Sequence, residues 1–415
     1  MIFQHSIALV LASVSTVLAL QTLPPVQWTL SSGGHDFILN PRNLRTIYIS
    51  AEAATTRDDD GLTLIPPSGL EFAETFADDL GELFGGHFSV ETVKEKPKAG
   101  IYLSILKHES ATFSRYESGE QTSEGYELTV GRNLIEIGGA GARGMFWGSR
   151  TLLQELRLSQ SHRKSISLPV GHTRDAPAFP TRGFLLDAGR KWYAPSVTPS
   201  HVLRLCHLLI RWQFLKDLCT YASFFKLSEF HYHINDNYPL NRGQNGTWNK
   251  VYSQFSLYPE DPALQGLITR KNETLSRADF ADLQSHCASR GVTVIPEIEA
   301  PGHSLAITKW KPQLALAKKD LLNLTHPETI PTVKAIWDEF LPWFKVKEVH
   351  IGADEYDATL EDDYVAFVNE MNRYVRRTAN KSVRIWGTHG DAVSPVHRGR
   401  LEVSVLLMEA DVCGG

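Results

Sequence analysis

The sequence predicts an α/β fold in two parts: a small α/β accessory domain over residues 20–175 and a (β/α)8 barrel of the TIM type over residues 176–415. The chain has 415 residues, 42% hydrophobic and 21% charged, which suffices for two domains with a large core. Strand and helix patterns alternate through the second part. Polar residues follow the ends of at least four of its strands, which favours a barrel over a doubly wound sheet.

The first domain mixes strand patterns with helical windows. Strands are predicted at Thr46–Ile49, Gly100–Ile105, Tyr126–Val130 and Leu134–Ile137, and helices at Phe72–Phe84 and Gly144–Leu156. The second helix follows a glycine-rich turn, Gly138–Gly141. The turn lacks the full spacing of a dinucleotide-binding or phosphate-binding loop, so close packing of strand against helix is favoured, and a phosphate cradle is the alternative.

Five strands are predicted in the second domain, with a sixth at Leu401–Leu407. They are Phe184–Asp187, Phe230–Ile234, Val292–Ile298, Val349–Ile351 and Val383–Trp386. Helices such as Asp279–Ser289 and Tyr364–Arg377 separate them. Because a complete barrel has eight strands, the sequence predicts a barrel that is incomplete at its C-terminal strands.

The segment Val197–Gln213 lengthens the connection between the first two barrel strands beyond the usual βα unit. We interpret it as a retained intron read in frame. The alternative is an extension of the following helix, because Val202, Leu205, Leu209 and Trp212 keep helical spacing.

The charge and the N-terminus bear on partners and location. A net charge of −5 without a basic block argues against nucleic acid or an anionic membrane surface as partners. Residues 1–19 have the apolar run and small residues of a signal peptide, which predicts a secreted protein. Sequons at Asn245, Asn272, Asn323 and Asn380 agree with secretion. The four cysteines lack metal-type spacing, and Cys219–Cys287 is the one disulfide suspected.

One short strand runs directly into two carboxylates, in the stretch from Glu348 to Tyr356. Alternation along a strand would place His350 and Asp354 on one face. Glu355 reaches the same pocket only if the strand ends and the backbone turns, which Gly352 makes easy. Acids at the carboxyl end of a barrel strand indicate catalysis, and a solvated helix cap is the alternative.

Four motifs in order carry a family resemblance: Arg182–Asp187 with Arg190, His231–Asp236, Val294–His303 and His350–Glu355. They resemble the successive strand motifs of family 20 glycoside hydrolases, the β-N-acetylhexosaminidases, in a secreted fungal branch. The resemblance implies exo-hydrolysis of terminal GlcNAc or GalNAc from oligosaccharides or glycoconjugates, with no cofactor. The alternatives are an inactive or non-catalytic sugar-binding product of an incomplete gene model, and a disaccharide-releasing enzyme of the same family.

The resemblance also implies roles for the acid pair. Asp354 would hold the N–H of the substrate's 2-acetamido group while its oxygen attacks the anomeric carbon. Glu355 would protonate the leaving oxygen and later deprotonate water, which calls for a raised pKa in a dry site.

The other expected site residues are assigned by matching motif positions. Arg182 would donate hydrogen bonds to sugar hydroxyls, and the alternative for this residue is a structural salt bridge. Trp386 would line the pocket for the acetamido group. Asp236 and His303 would lie beside the acid. Residues behind these would be Glu299, His233 and His350.

A metal site is the competing interpretation of the histidines. His231 and His233 alternate onto one strand face, and His303, His350 and Asp354 also end strands. Barrel hydrolases that use zinc have such sets. The match to the sugar-hydrolase motifs favours a site without metal.

Overall fold

The computed structural model describes residues 22–31, 36–39, 44–160, 166–190, 206–240, 244–387 and 405–409. Within these ranges the structure has two hydrophobic cores. One lies in the first domain around Phe72, Phe76 and Ile137, and the other lies in the second domain around Phe230, Ile295 and Val349. The predicted signal peptide, residues 1–19, lies outside the described residues.

In its described residues, the first domain has a mixed seven-stranded sheet, three α-helices and a separate two-stranded sheet. Its elements are β1 (Thr29–Leu30), β2 (Phe37–Leu39), β3 (Thr46–Ser50), α1 (Ala51–Thr55), α2 (Gly69–Phe84), β4 (Ser89–Val93), β5 (Gly100–Ile105), β6 (Tyr126–Val130), β7 (Leu134–Gly139), α3 (Ala142–Gln160), β8 (Ile166–Leu168) and β9 (Gly171–Asp175). The order in the large sheet is β1-β9-β6-β7-β5-β3-β4, and β2 pairs with β8. All six elements predicted here are confirmed.

Helix α2 shows how local sequence determines an element. Ser68 caps its first turn in a reciprocal capping box with Glu71. Phe72, Phe76 and Leu80 recur every four residues and are buried against the sheet. This spacing places one apolar stripe on the core, which stabilises the helix more than propensity alone.

The glycine-rich turn before α3 allows the end of β7 to pack closely against the start of the helix. A Cβ at Gly139 would lie 2.2 Å from the backbone nitrogen of Met145. The first amides of α3, from Ala142 and Arg143, donate to the carboxylate of Asp58. The chain's own carboxylate therefore occupies the position that an anion would take at this helix N-terminus, and the packing interpretation is confirmed.

Among the residues described in the second domain, six strands pair in parallel in the order β10-β11-β14-β15-β16-β17. Its elements are β10 (Gly183–Asp187), α4 (Cys206–Phe224), β11 (Glu229–His233), β12 (Asn235–Asn237), β13 (Ser253–Phe255), α5 (Arg277–Ser289), β14 (Thr293–Ala300), α6 (Leu305–Trp310), α7 (Thr329–Phe340), β15 (Glu348–Gly352), α8 (Glu361–Ala379), β16 (Ser382–Gly387) and β17 (Val405–Glu409). Strands β12 and β13 form a small antiparallel hairpin. The five predicted strands are confirmed, the sixth overlaps β17, and residues 401–404 of that prediction lie outside the described residues.

Parallel pairing brings the carboxyl ends of these strands to one edge. Gly183 pairs with Glu229, which pairs with Thr293 on the next strand, and Glu297 on that strand pairs with His350. Residues that follow the strands therefore converge at the carboxyl edge, while residues that precede them lie at the opposite edge.

Buried ion pairs join the two domains. Asp79 of α2 contacts Arg290, which follows α5. Lys226, before β11, donates to the hydroxyl of Tyr126 at 2.9 Å and to Asp175 at 3.2 Å. Breaking a buried pair of this kind leaves an uncompensated charge, so these contacts hold the accessory domain against the amino edge of the barrel strands.

Three further expectations can be compared with the structure. The Cys219–Cys287 disulfide is confirmed and links α4 to α5. In the intron-or-helix segment, residues 206–213 form the first part of α4, as the helical alternative predicts, and residues 197–205 lie outside the described residues. Among the described residues, no helix is long and apolar enough to cross a membrane.

Candidate active site

The backbone after β15 turns sharply and displays the two consecutive carboxylates. The strand ends at Gly352 with φ of 69°, and left-handed φ values of 68° at Ala353 and 49° at Glu355 follow. The amide of Ala353 donates to Glu299 Oε1 at 2.9 Å, which fixes the turn against β14. The predicted turn at Gly352 is confirmed. Strand alternation stops there and does not set the direction of Asp354.

Asp354 and Glu355 face the same imidazole nitrogen. His303 Nε2 lies 3.8 Å from Asp354 Oδ2 and 3.4 Å from Glu355 Oε2. The Asp354 side chain is 26% exposed and the Glu355 side chain is 68% exposed. The two carboxylates therefore lie at the carboxyl edge of the sheet, and Asp354 is more buried than Glu355.

The two carboxyls differ in the direction of their pKa shifts. Burial raises the pKa of Asp354, although the charge of His303 opposes the rise. The interaction with His303 lowers the pKa of Glu355, and burial opposes the change. The sequence led us to expect a raised pKa for Glu355 in a dry site. In the unliganded structure this expectation is wrong, because most of the side chain is in contact with water.

Asp236 is the buried anion behind His303. Its Oδ1 lies 3.1 Å from His303 Nδ1, and its Oδ2 lies 3.0 Å from Arg190 Nη1 and 2.8 Å from His233 Nε2. Burial would raise the pKa of Asp236, but hydrogen bonds from the two histidines lower it to about 2. Burial would lower the pKa of His303, but contacts with Asp236 and Glu355 raise it to about 10.

Glu299 lies behind Asp354 and is fully buried. Burial and the neighbouring charge of Asp354 raise the pKa of Glu299 well above its usual value. Two such close carboxyls rarely ionise together, so Glu299 holds a proton and Asp354 carries the negative charge.

Glu297 lies deeper in the barrel, also fully buried, and collects four nitrogens. His233 Nδ1 and His231 Nε2 contact its Oε2, the latter at 2.9 Å. His350 Nδ1 lies 2.9 Å from Oε1, and the indole N–H of Trp386 donates to Oε1 at 2.7 Å. Burying a carboxylate is costly, and the N–H groups of His233 and Trp386 that contact Glu297 compensate for part of that cost.

Several acid and histidine groups have the spacing of metal ligands. The ligand atoms of His231, Glu297 and His350, and those of His233, Glu297 and Glu299, lie within 4.8 Å of one another, as do those of a group of Asp187, His233 and Asp236. Glu297 is shared by the first two groups and already accepts the indole N–H of Trp386, which cannot ligate a metal. Hydrogen bonding accounts for the Glu297 cluster better than metal coordination.

Two family models match most of the chain. One is described as Glycosyl hydrolase family 20, catalytic domain, and matches residues 179–382. The other is described as Glycosyl hydrolase family 20, domain 2, and matches residues 48–176.

The chain belongs to glycosyl hydrolase family 20.

Relatives of this family 20 chain include beta-hexosaminidases and a lacto-N-biosidase. A beta-hexosaminidase of Porphyromonas gingivalis is 25% identical over 332 residues, 72% of this chain and 39% of the relative. A beta-hexosaminidase of Vibrio furnissii is 24% identical over 411 residues, 87% of this chain and 63% of the relative. A lacto-N-biosidase of Bifidobacterium bifidum is 25% identical over 317 residues, 70% of this chain and 24% of the relative. The chain therefore spans less than two thirds of the length of these relatives.

Solved structures show the same fold. The family 20 beta-N-acetylhexosaminidase of Streptomyces coelicolor gives a TM-score of 0.66 at 18% identity, over 94% of this chain and 75% of that one. A Vibrio harveyi exo beta-N-acetylglucosaminidase in complex with N-acetylglucosamine gives 0.62 at 18% identity, over 93% and 57%. The barrel with a preceding accessory domain is therefore the fold of this family 20 chain.

Arg182 is the one predicted site residue that the structure places elsewhere. It precedes β10 and so lies at the amino edge, opposite the acid pair. Its guanidinium contacts Glu124 of the accessory domain and donates to the carbonyl of Phe179 at 2.8 Å. The assignment of Arg182 to substrate binding is wrong, and the alternative, a structural salt bridge, holds. Arg190, which follows β10, is the arginine at the carboxyl edge.

The other predicted residues come together in two layers. His303 lies between Asp236 on one side and the pair Asp354 and Glu355 on the other. Deeper in the site, His233 contacts Asp236, and Glu299 accepts a hydrogen bond from the amide before Asp354. His350 and Trp386 contact Glu297 instead. Sequence reasoning missed Glu297, although strand alternation from Glu299 gave a signal, since residues two apart share a face.

The glycine at the turn gives a test of the site geometry. A Cβ at Gly352 would lie 1.8 Å from the Glu299 carboxylate, at a left-handed φ of 69°. We expect Gly352→Ala to displace the acid pair and lower kcat/KM by on the order of 100-fold. It should also reduce the free energy of unfolding by about 1–3 kcal/mol, because overpacking adds to backbone strain. Urea unfolding and steady-state kinetics would measure both.

Gly119→Ala is the matched control. Gly119 also has a left-handed φ, 88°, but a Cβ there meets no atom within 4 Å. It should show the backbone strain without the loss of activity. Equal effects of the two substitutions on kcat/KM would contradict the role given to the contact between Gly352 and Glu299.

Proposed function

We propose that this chain is an exo-acting β-N-acetylhexosaminidase that removes terminal GlcNAc or GalNAc by substrate-assisted, retaining hydrolysis. The observation that carries the proposal is that Asp354 and Glu355 face one nitrogen of His303, at 3.8 and 3.4 Å. Two carboxylates that share one partner lie on the same side of a bound sugar.

This arrangement restricts the mechanism. Most glycosidases flank the scissile bond with two carboxyls, about 5–5.5 Å apart when they retain configuration and about 6.5–9.5 Å apart when they invert it. With both acids on one side, neither is placed to attack C1 from the opposite face. A 2-acetamido oxygen of the substrate can do so, forming a bond to C1 as the bond to the leaving oxygen breaks.

Asp354 supplies the anion for this step. Its Oδ1 is buried, and among the described residues no amide, hydroxyl or ring N–H donates a hydrogen bond to it. An acetamido N–H would fill that position. As the oxazolinium ring forms, positive charge develops on the acetamido nitrogen, and the Asp354 carboxylate, kept ionised by His303 and protonated Glu299, stabilises that charge.

Glu355 and His303 together carry the proton. In the unliganded site the proton is on His303 and Glu355 is ionised, as the opposite directions of their pKa shifts require. A bound sugar displaces water from Glu355, which favours transfer of the proton from His303 to Glu355. Glu355 then protonates the leaving oxygen, and a water that attacks C1 returns a proton to Glu355. Two displacements at C1 retain the configuration.

Residues that could bind the sugar lie at the same carboxyl edge as the acid pair. Arg190, with a side chain 38% exposed beside Asp236, takes the hydroxyl-binding role that we first gave to Arg182. Trp386 is partly buried and stacks on His231 at 5.0 Å. Its role as a wall of the acetamido pocket stays a prediction.

The test is hydrolysis of 4-nitrophenyl N-acetyl-β-glucosaminide by the purified chain, with 4-nitrophenyl β-glucoside as the matched substrate that lacks the acetamido group. Strong preference for the first supports the proposal, and equal rates would overturn it. Preference for a 4-nitrophenyl β-lacto-N-bioside would instead favour the disaccharide-releasing alternative, which the Bifidobacterium relative brings into consideration. Activity lost with a chelator and restored by zinc would favour the metal alternative.

We also propose that the chain is secreted and glycosylated. Support comes from the apolar N-terminal run and from the Cys219–Cys287 disulfide, which is typical of oxidising compartments. Two sequon asparagines, Asn272 and Asn380, are exposed. Mass spectrometry of the secreted protein before and after deglycosylation would test this.

A further inference from the structure

We propose that Glu297 and His233 are positioning residues for Glu355, and that they act through Asp236 and His303. This inference rests on the proposed function, since it concerns the acid–base group of that reaction. It assigns a role in the reaction to Glu297, a residue buried inside the barrel.

A continuous line of contacts connects the barrel interior with the acid. His233 Nδ1 contacts Glu297 Oε2, and His233 Nε2 lies 2.8 Å from Asp236 Oδ2. Asp236 Oδ1 lies 3.1 Å from His303 Nδ1, and His303 Nε2 lies 3.4 Å from Glu355 Oε2. Each imidazole lies between two carboxyls, and the contact of His303 Nε2 with Glu355 is an ion-pair distance without hydrogen-bond geometry.

The charges along this line alternate. Burial would lower the pKa of His233, but Glu297 and Asp236 raise it well above its usual value. Burial would raise the pKa of Glu297, but the surrounding histidines lower it well below its usual value. The sequence of charges is therefore negative on Glu297, positive on His233, negative on Asp236, positive on His303 and negative on Glu355.

Glu297 is held in place from several strands. Its nitrogen partners come from β11, β15 and β16, and its side chain is fully buried on β14. The backbone N–H of Gly352, at the start of the turn, donates to His350 Nδ1 at 3.0 Å, so this nitrogen faces Glu297 without donating to it. A rigid anion at this point fixes His233 as an imidazolium with its Nε2 directed at Asp236.

The consequence for catalysis passes through His303. An imidazolium at His233 lets Asp236 remain ionised although it is buried, and Asp236 in turn keeps the proton on His303. The other charged groups that face His303 are Arg190, 3.3 Å from Nδ1, and Asp354. If Glu297 becomes neutral, His233 loses the partner that keeps it charged. Asp236 then loses the partner that holds its carboxylate in line with His303, and once Asp236 turns from His303 Nδ1 toward Arg190, His303 loses its proton at lower pH and the alkaline limb of activity moves with it.

The test uses Glu297→Gln, which keeps the size and shape of the side chain and removes its charge. We expect kcat on 4-nitrophenyl N-acetyl-β-glucosaminide to fall about tenfold or more with little change in KM. We also expect the alkaline limb of the kcat/KM profile to move down by about one pH unit or more. Histidine-selective NMR should show that the pKa of His303 falls in the same variant.

Glu229→Gln is the matched control. Glu229 is also a buried carboxylate, on β11, but it lies at the amino edge, where it pairs with Arg384 at 2.7 Å. This variant should lose stability and keep the wild-type pH profile. If Glu297→Gln behaves like Glu229→Gln, with the alkaline limb and the His303 pKa unchanged, the proposal is overturned.

A second variant covers the case in which Glu297→Gln does not fold. His233→Gln preserves an N–H toward Asp236 but carries no charge, and it should move the limb and the His303 pKa in the same direction. An unchanged limb and pKa in that variant would also overturn the proposal. Should the wild-type chain fail to hydrolyse the glucosaminide, the proposed function fails, while the His303 pKa still decides whether Glu297 and His233 set its proton affinity.

Discussion

Glu355→Gln is expected to lower kcat for an unactivated substrate such as diacetylchitobiose by on the order of 10²–10⁴-fold. The glutamine amide cannot protonate the leaving sugar oxygen, which is a poor leaving group without a proton. Binding should change little, because the Glu355 side chain is 68% exposed and contributes few contacts to the fold. Steady-state kinetics on the disaccharide measure the loss, and thermal unfolding checks that the fold is intact.

The leaving group provides the control for this substitution. The 2,4-dinitrophenolate of a 2,4-dinitrophenyl glycoside leaves without a proton, so formation of the oxazolinium intermediate should be nearly unaffected in the variant. Hydrolysis of that intermediate should be slowed, because no base deprotonates the attacking water. Added azide should accelerate turnover of this substrate, since it attacks C1 without needing deprotonation. An equal loss on both substrates, with no response to azide, would show that Glu355 acts on binding or folding and not as the acid.

The sequence predicts the strands well because burial determines them locally. The predicted Val349–Ile351 lies within β15, and the predicted Phe230–Ile234 overlaps β11. Runs of apolar residues bounded by polar ones carry that information without any long-range contact. The turn at Gly352 was also predictable from local sequence, because glycine adopts a left-handed backbone at little cost.

The arginine assignment failed because a motif does not state which edge of the sheet a residue occupies. Arg182 and Arg190 belong to one motif, on either side of β10. Strand direction separates them: the residue before the strand lies at the amino edge and the residue after it at the carboxyl edge. Applying that rule to both arginines would have selected Arg190 from sequence alone.

The electrostatic state of the site lay beyond sequence reasoning. The pKa of Glu355 depends on how much water reaches the side chain and on its distance from His303, and neither quantity is local. The role of Glu297 likewise depends on nitrogens from β11, β15 and β16. Such contacts depend on which strands lie near one another in the folded sheet, and no periodicity in the sequence gives that order.

Asp354→Asn is expected to lower kcat for 2-acetamido substrates by on the order of 10²–10³-fold, with a smaller effect on KM. The asparagine oxygen can still accept the acetamido N–H in the ground state. It carries no charge to stabilise the positive charge that develops as the oxazolinium ring forms, so the loss falls on the transition state. Kinetics on 4-nitrophenyl N-acetyl-β-glucosaminide measure the change.

The control for that substitution is Asp357→Asn, which removes the same charge three residues away at an exposed turn, where Asp357 caps Thr359. It should leave kcat nearly unchanged. Stability gives the sharper distinction. Burial raises the pKa of Asp354, so its anion is held in the fold at a cost, and Asp354→Asn should keep or slightly increase the free energy of unfolding at neutral pH. A loss of stability that accompanies the loss of activity would assign Asp354 a structural role instead, whereas a stable and slow variant is what an anion retained for the transition state requires.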